Sequence, residues 1–195
     1  MIIKPDNEML SYSGRIDFDD RLAPVLVYAC SSIGMKFTGT SLKAVIVNHR
    51  SCWTNELGYF IDGEQKRFTL SSDEEKKTYT LAENLPEGTH ELLLFKRMDS
   101  CHTFTFYGFE IDDGAKVLPL PEKPKRKMEF FGDSVSCGEV SEAVAYVGKP
   151  DPEHDGEYSN SWYSYAWMTA RKLNAQIHDT SQGGISLLKS EAKRS

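Results

Sequence analysis

The chain is short of several features that would narrow its role at once. It has four cysteines in 195 residues, Cys30, Cys52, Cys101 and Cys137, scattered and without a CxxC pair. That spacing suits neither a zinc site nor the disulfide framework of a small secreted domain, so free thiols in a reducing compartment are expected. The N-terminal stretch MIIKPDNEMLSYSG lacks the apolar core and small-residue cleavage site of a secretory signal, and a cytoplasmic location is expected. No window approaches the ~18 consecutive apolar residues of a membrane span. Positive charge is scarce as well: 23 Lys and Arg stand against 29 Asp and Glu, a formal net charge of −6. Phosphate binding needs a basic stripe, so neither nucleic acid nor a membrane is an expected partner. The one basic cluster, Lys123, Lys125, Arg126 and Lys127, lies beside Pro119, Pro121 and Pro124. It reads as a solvated linker rather than a binding patch.

What remains is ordinary globular material, 39% hydrophobic and 27% charged. Up to about residue 118 the rhythm is that of strands. Short apolar or alternating runs recur at Val25 to Tyr28, Leu42 to Val47, Tyr59 to Ile61, Arg67 to Leu70, Thr78 to Leu81, Glu91 to Phe95 and Thr103 to Ile111. Asp62-Gly63 is a hairpin signal, and Pro86-Glu87-Gly88 is a second turn. The alternation of Phe104 and Phe106 slips at Tyr107-Gly108 before Phe109 and Ile111 resume it, which predicts a bulge. Many short strands with no helical pattern between them predict an all-β sandwich over 1–118.

Residues 119–127 then read as a Pro/Lys-rich linker or a strap across the sandwich. From residue 128 the rhythm changes. Met128 to Phe131 predicts a short strand, followed by a polar loop from about Gly138 to Ser159. Trp162, Tyr165, Ala166, Thr169, Ala170 and Leu173 predict one helical face, capped by Ser159, Asn160 or Ser161 and stopped at Asn174. Gln176 to Thr180 predicts a second strand, and Gln182-Gly183-Gly184 the turn after it. Strand, helix, strand is the opening unit of an α/β sheet, here over 128–195 and incomplete.

The chemistry concentrates at Gly132-Asp133-Ser134, directly after the first of those strands. A nucleophilic serine needs a base to take its proton, a turn that lifts it clear of the backbone, and donors for the oxyanion. Gly132 permits the turn, and the carboxyl end of a strand is where ligands sit in open α/β sheets. The lipase-type G-x-S-x-G elbow does not fit, since its fifth position is Ser136. On the tripeptide alone, a nucleophile and an ordinary exposed turn are both open readings.

The other candidates have bland readings beside the functional ones. His49, His90 and His102 fall in the strand-rich segment and read as strand-end or surface residues. His154 lies in the acidic loop DPEHDGE, which has neither calcium-loop spacing nor an HExxH pair, so no metal is implied. His178 is the one histidine near the Gly183-Gly184 turn and the one to test as a base. Trp162 and Tyr165 read as core; Tyr158 and Tyr163 are open as sugar contacts, and Trp53 is a candidate for carbohydrate contact or a cap on the core.

A wider set of segments decides between these readings. The chain resembles carbohydrate esterase family 2 through Gly14-Arg15, MKFTGTSLKAVI, the turn after YFI, LPEGTHELLLFKR, FTFYGFEID, KMEFFGDSVSCG, EYSNSWYSYAWMTARKLNAQ and TSQGGISL. The resemblance implies a jelly-roll sandwich joined to an SGNH (GDSL-type) hydrolase domain. It implies removal of acetyl groups from polysaccharides such as xylan and glucomannan through an acyl-serine intermediate, without a cofactor or metal. By the same resemblance Ser134 is the nucleophile and an oxyanion donor, Gly184 (or Gly183) supplies the second donor, and Gly132 and Asp133 shape the turn. The family's later blocks, with an asparagine donor and the catalytic histidine, have no counterpart here. This chain alone is therefore expected to turn over weakly or not at all. The alternative is a non-catalytic carbohydrate-binding sandwich or a gene fragment.

Overall fold

The computed structural model describes residues 1–185. In chain order the strands are Ile2–Ile3 (β1), Ser11–Ser13 (β2), Ile16–Asp17 (β3), Val25–Leu26 (β4), Ser32–Thr38 (β5), Leu42–His49 (β6), Glu56–Ile61 (β7), Glu64–Thr69 (β8), Lys77–Ala82 (β9), Thr89–Lys96 (β10), Thr103–Ile111 (β11), Val117–Leu118 (β12), Arg126–Gly132 (β13) and Ala175–Ser181 (β14). Two α-helices, Ser134–Cys137 (α1) and Tyr165–Lys172 (α2), and two 3₁₀ turns lie between β13 and β14.

The first twelve strands form a jelly-roll sandwich. One sheet runs β3-β4-β11-β6-β9 with β1 also on β11, and the other runs β12-β5-β10-β7-β8 with β2 also on β5. The short strands β1, β2, β3 and β12 and the longer β5 are not singled out by the hydrophobic rhythm; β5 escapes it because its residues are buried on both faces for most of its length. The hairpin at Asp62-Gly63 is a two-residue turn between Ile61 and Glu64 with both φ angles positive, 52° and 85°, as a type I′ turn requires. The slip in β11 is a bulge: the register against β6 shifts between Phe106 and Gly108. Phe37, Leu42, Ile46, Leu94, Phe104, Phe106 and Phe109 fill the space between the sheets.

The chain then crosses the sandwich as a strap. Val117 and Leu118 pair with β5, and the Leu120 side chain lies over Gly34. Arg126 and Lys127, read from sequence as linker, are the first residues of β13. β13 and β14 pair in parallel, with Gly132 opposite Ser181 at their carboxyl ends.

This parallel pair and its helices pack on the outer face of the second sheet. The strand β10 shows why. His90, Leu92 and Leu94 face the sandwich core, while Leu93 and Phe95 face the other way, into a second core with Trp162, Ala166, Trp167, Ala170 and Ile177. The Phe95 ring lies over Gly58, where any Cβ would come within 2.1 Å of it. Phe60 and Trp162 rings sit 4.5 Å apart, and Arg171 stacks on Trp162 at 3.6 Å.

The helix differs from its sequence reading. Asn160 caps a 3₁₀ turn at Ser161–Tyr163, the chain kinks, and Ser164 caps α2 by accepting from the Trp167 N–H at 3.1 Å. The kink rotates the apolar face: Ala166, Trp167 and Ala170 are buried, whereas Tyr165 and Leu173 are exposed. The stop at Asn174 is present, with φ of 48°.

Candidate active site

The strand β13 ends at Gly132, and the next residues reverse the chain into α1. Asp133 is extended and caps α1, its carboxylate accepting from the Val135 N–H at 3.0 Å. Ser134 is the first helical residue, and the Gly138 N–H closes the turn onto the carbonyls of Ser134 and Val135. Gly132 is required by close approach. A Cβ there would sit 2.0 Å from Ser136 Oγ, so a side chain would push α1 off the strand end. Ser136 in turn shares a 2.8 Å hydrogen bond with the Tyr165 hydroxyl, which explains why that tyrosine faces out of the core.

The second turn leaves the same edge. The Gln182 N–H donates to Gly132 O at 3.2 Å, and the Gly183-Gly184 turn follows directly. Ser134 and this glycine pair therefore stand together past the carboxyl ends of two adjacent parallel strands. The Gly183 N–H is already occupied: it donates to Asp99 Oδ2 at 2.6 Å. A side chain on Gly183 would collide with the carboxylates of Asp99, at 2.8 Å, and Glu139, at 3.1 Å. The Gly184 N–H has no acceptor among the described residues, and the space beside its Cα is open. Of the two glycines considered as oxyanion donors, the geometry leaves Gly184 with its N–H to offer.

Asp99 comes from the sandwich, and sequence reasoning missed it. It sits just past β10, where the Asp99 and Met98 carbonyls accept from Lys96 Nζ, the latter at 2.7 Å. Lys96 is 0% exposed, and burial pulls its ammonium down to about 8. Asp99 Oδ1 also accepts from the Cys101 N–H at 3.0 Å, and Ser100 Oγ donates to Gln182 Oε1 at 3.1 Å. A short turn of the sandwich thus grips the turn that follows β14.

Beneath the turns lies a buried polar cluster. Asp179, 0% exposed, accepts from Cys30 Sγ at 3.4 Å and from Ser181 Oγ. Burial lifts its carboxyl to about 6 against these hydrogen bonds. Burial and the neighbouring Asp179 also push the Cys30 and Cys137 thiols well up. All four cysteines are free.

The remaining candidates are dispersed. Trp53 packs against His154 with tilted rings, centroids 5.0 Å apart, and borders a small recess with Asp99, Cys137 and Glu139. Tyr158 lines a separate polar cleft, and the Tyr163 hydroxyl donates to Gln65 Oε1 at 2.7 Å. The strand-end reading of three histidines fits: His49 closes β6, His90 opens β10 between Asp62 and the Pro86 carbonyl, and His102 is buried beside β11. The acidic loop is packed rather than merely solvated, because His154 lies on Trp53 and Asp155 accepts from Thr54. His178 is exposed in the middle of β14, on the face opposite Ile177, Asp179 and Ser181, so the structure does not bring it to Ser134. Residues 186–187 of the TSQGGISL segment lie outside the described residues.

A jelly roll with an adjoining parallel strand pair on its outer face is the architecture with which the comparisons can be set beside this chain. The family model described as carbohydrate esterase 2 N-terminal matches residues 12–121. The cellulase/esterase CelE of Acetivibrio thermocellus is 33% identical over 183 residues, covering 93% of this chain and 21% of that protein. An acetylxylan esterase / glucomannan deacetylase of Cellvibrio japonicus is 26% identical over 167 residues, 82% of this chain and 45% of its own length. A family two carbohydrate esterase from Clostridium thermocellum, solved in complex with cellohexaose, superposes with a TM-score of 0.79 and 31% identity over 91% of this chain and 52% of its own. The chain belongs to carbohydrate esterase family 2, and it spans about half or less of the length of these relatives.

Proposed function

We propose that this chain carries the nucleophile part of a serine esterase that removes acetyl groups from carbohydrate of the xylan or glucomannan type. The observation that supports this most is the position of Ser134, on the first turn after a parallel strand, with the Gly183-Gly184 turn leaving the same edge. In this reading Ser134 Oγ attacks the acetyl carbonyl, the sugar oxygen leaves with a proton, and water then releases acetate from the acyl-serine. The N–H groups of Ser134 and Gly184 meet the oxyanion, while Gly132, Asp133 and Asp99 hold the two turns. The choice of acetylated sugar rests on the relatives named as acetylxylan esterase and glucomannan deacetylase.

No described histidine reaches Ser134, and triad members act as a unit, so turnover by this chain alone is expected to be weak. The test therefore separates reactivity from turnover. A phosphonate ester that phosphonylates activated serines is incubated with the chain and with Ser134→Ala, and the modified residue is located by mass spectrometry. Slow labelling at Ser134 that is lost in the variant is expected. Labelling elsewhere, or aryl acetate hydrolysis that survives Ser134→Ala, would remove Ser134 from the role of nucleophile.

A further inference from the structure

Three separate parts of the chain converge on Gly183. The turn after β14 supplies the glycine, and the sandwich supplies Asp99. The serine turn supplies Glu139, whose N–H donates to the Ser134 carbonyl at 3.0 Å. A Cβ on Gly183 would lie 2.8 Å from Asp99 Oδ2 and 3.1 Å from Glu139 Oε2, so two carboxylates flank one small space.

The two are held differently. Asp99 accepts from the Gly183 N–H at 2.6 Å and the Cys101 N–H at 3.0 Å, and the buried Lys96 ammonium stands near it. Glu139, half-buried, receives no hydrogen bond among the described residues. The recess that both carboxylates border is otherwise lined by Trp53, Met98, Cys137 and Ser159, none of them basic. From the loop that follows α1, Asp151 opposes the Glu139 charge and His154, when protonated, favours it. From α1 itself the Cys137 thiol faces Glu139, and burial keeps that thiol protonated. Two carboxylates in one place do not ionise together without cost, and the one that lacks donors keeps its proton longer. Burial, and then Asp99, accordingly lift the Glu139 carboxyl above its ordinary value of 4.5.

We propose that Glu139 is a positioning residue that makes the serine site responsive to pH: neutral, it stands beside Asp99 and lets the Gly183 turn close; ionised, it repels Asp99 and any anion formed before the Ser134 and Gly184 N–H groups. The proposal rests on the esterase reading for the roles of Ser134 and Gly184. Attack by Ser134 builds negative charge on the substrate oxygen, and a fixed negative charge nearby raises the energy of that state. Ionisation of Glu139 therefore attenuates the serine, over the pH range above 4.5.

The test compares the wild type with Glu139→Gln, which keeps the shape and removes the charge. Phosphonate labelling of Ser134 is timed from pH 4 to 8, and the ratio of the two rates is taken at each pH, so that effects common to both proteins cancel. The ratio should be near one at pH 4 and rise to roughly three- to tenfold in favour of Glu139→Gln by pH 8. A purely structural role gives a ratio that does not move with pH. A flat ratio, or labelling slower in the variant at pH 8, would overturn the proposal. A second reading needs no variant: in wild-type protein enriched in carbon-13, the Glu139 carboxyl carbon should titrate above 4.5, and the Gly183 amide should shift with the same midpoint. Titration at or below 4.5, or a Gly183 amide that stays still while Glu139 ionises, would overturn it too. If Ser134 is labelled in neither protein, the esterase reading fails, and the titration alone decides whether Glu139 acts on the Gly183 turn.

Discussion

Removing the carboxylate of Asp99 should loosen the turn after β14 without unfolding the protein. Two backbone N–H groups donate to that carboxylate, Gly183 at 2.6 Å and Cys101 at 3.0 Å. A hydrogen bond to a charged group contributes roughly 1.5–3 kcal/mol, which corresponds to a factor of about 10 to 150 in a local opening equilibrium. In Asp99→Ala the Gly183 amide should therefore exchange with solvent faster by about that factor at constant pH. For a chain of this size such a loss lowers the melting temperature by about 3–12 °C. Asp99→Asn retains one acceptor oxygen and should fall between the two. Residue-resolved amide exchange by NMR is the assay, with Gly184, which has no described acceptor, as the internal control. If Gly183 exchanges in the wild type as fast as in Asp99→Ala, the grip of the sandwich on this turn does not exist in solution. Slower phosphonate labelling of Ser134 in Asp99→Ala is the functional counterpart.

Gly132→Ala places a methyl group against Ser136 Oγ and should cost about 1–3 kcal/mol, read by calorimetry; pairing it with Ser136→Gly should recover part of the loss. Asp179 is raised to about 6 in the fold, so its protonated form favours the native state. Its contribution is complete below its ordinary value of 3.8 and is lost as pH rises through about 6. Asp179→Asn should therefore gain on the wild type between pH 4 and 7, by at most roughly 3 kcal/mol, in urea unfolding at matched pH; a constant difference across that range would refute the assignment. Phe95→Ala removes the ring that joins β10 to α2 and should cost about 3–5 kcal/mol in the same assay.

Much of the sandwich was legible because its strands alternate. Leu42 to Ile46 changes sides at every residue, and that period of two is visible in the sequence. The strand β5 was not, since covering both faces erases the period. The kink at Ser164 escaped for a different reason. Ser161-Trp162-Tyr163 has the composition of a helical turn, and Ser164 caps the helix at the point where Trp167 packs edge-on against Phe95, a contact between residues 72 positions apart that no local pattern marks. At the site, Gly132, Asp133 and Ser134 stand out because a strand, a glycine turn and a serine are consecutive. Asp99 does not, since its partner is Gly183, 84 residues away, and nothing local in KRMDSC marks that contact. Leu93 and Phe95 did carry a signal: an apolar residue at every position of LLLF means a strand covered on both sides.

That double covering bears on how the protein can be cut. The family match ends at residue 121, a natural place to trim the sandwich for use as a stand-alone module. Such a cut removes Trp162, Trp167 and Ile177 and turns Phe60, Leu93 and Phe95 toward water as one contiguous greasy panel. It also leaves Lys96 and Cys30 at a fresh surface in place of a seam. A trimmed sandwich would meet its own copies through that panel, so solubility and self-association at low concentration become the first properties to measure on any such piece. Grafting the sandwich onto another protein requires a replacement for that covering, either the whole β13–β14 unit or polar substitutions at the three exposed rings and side chains of the panel.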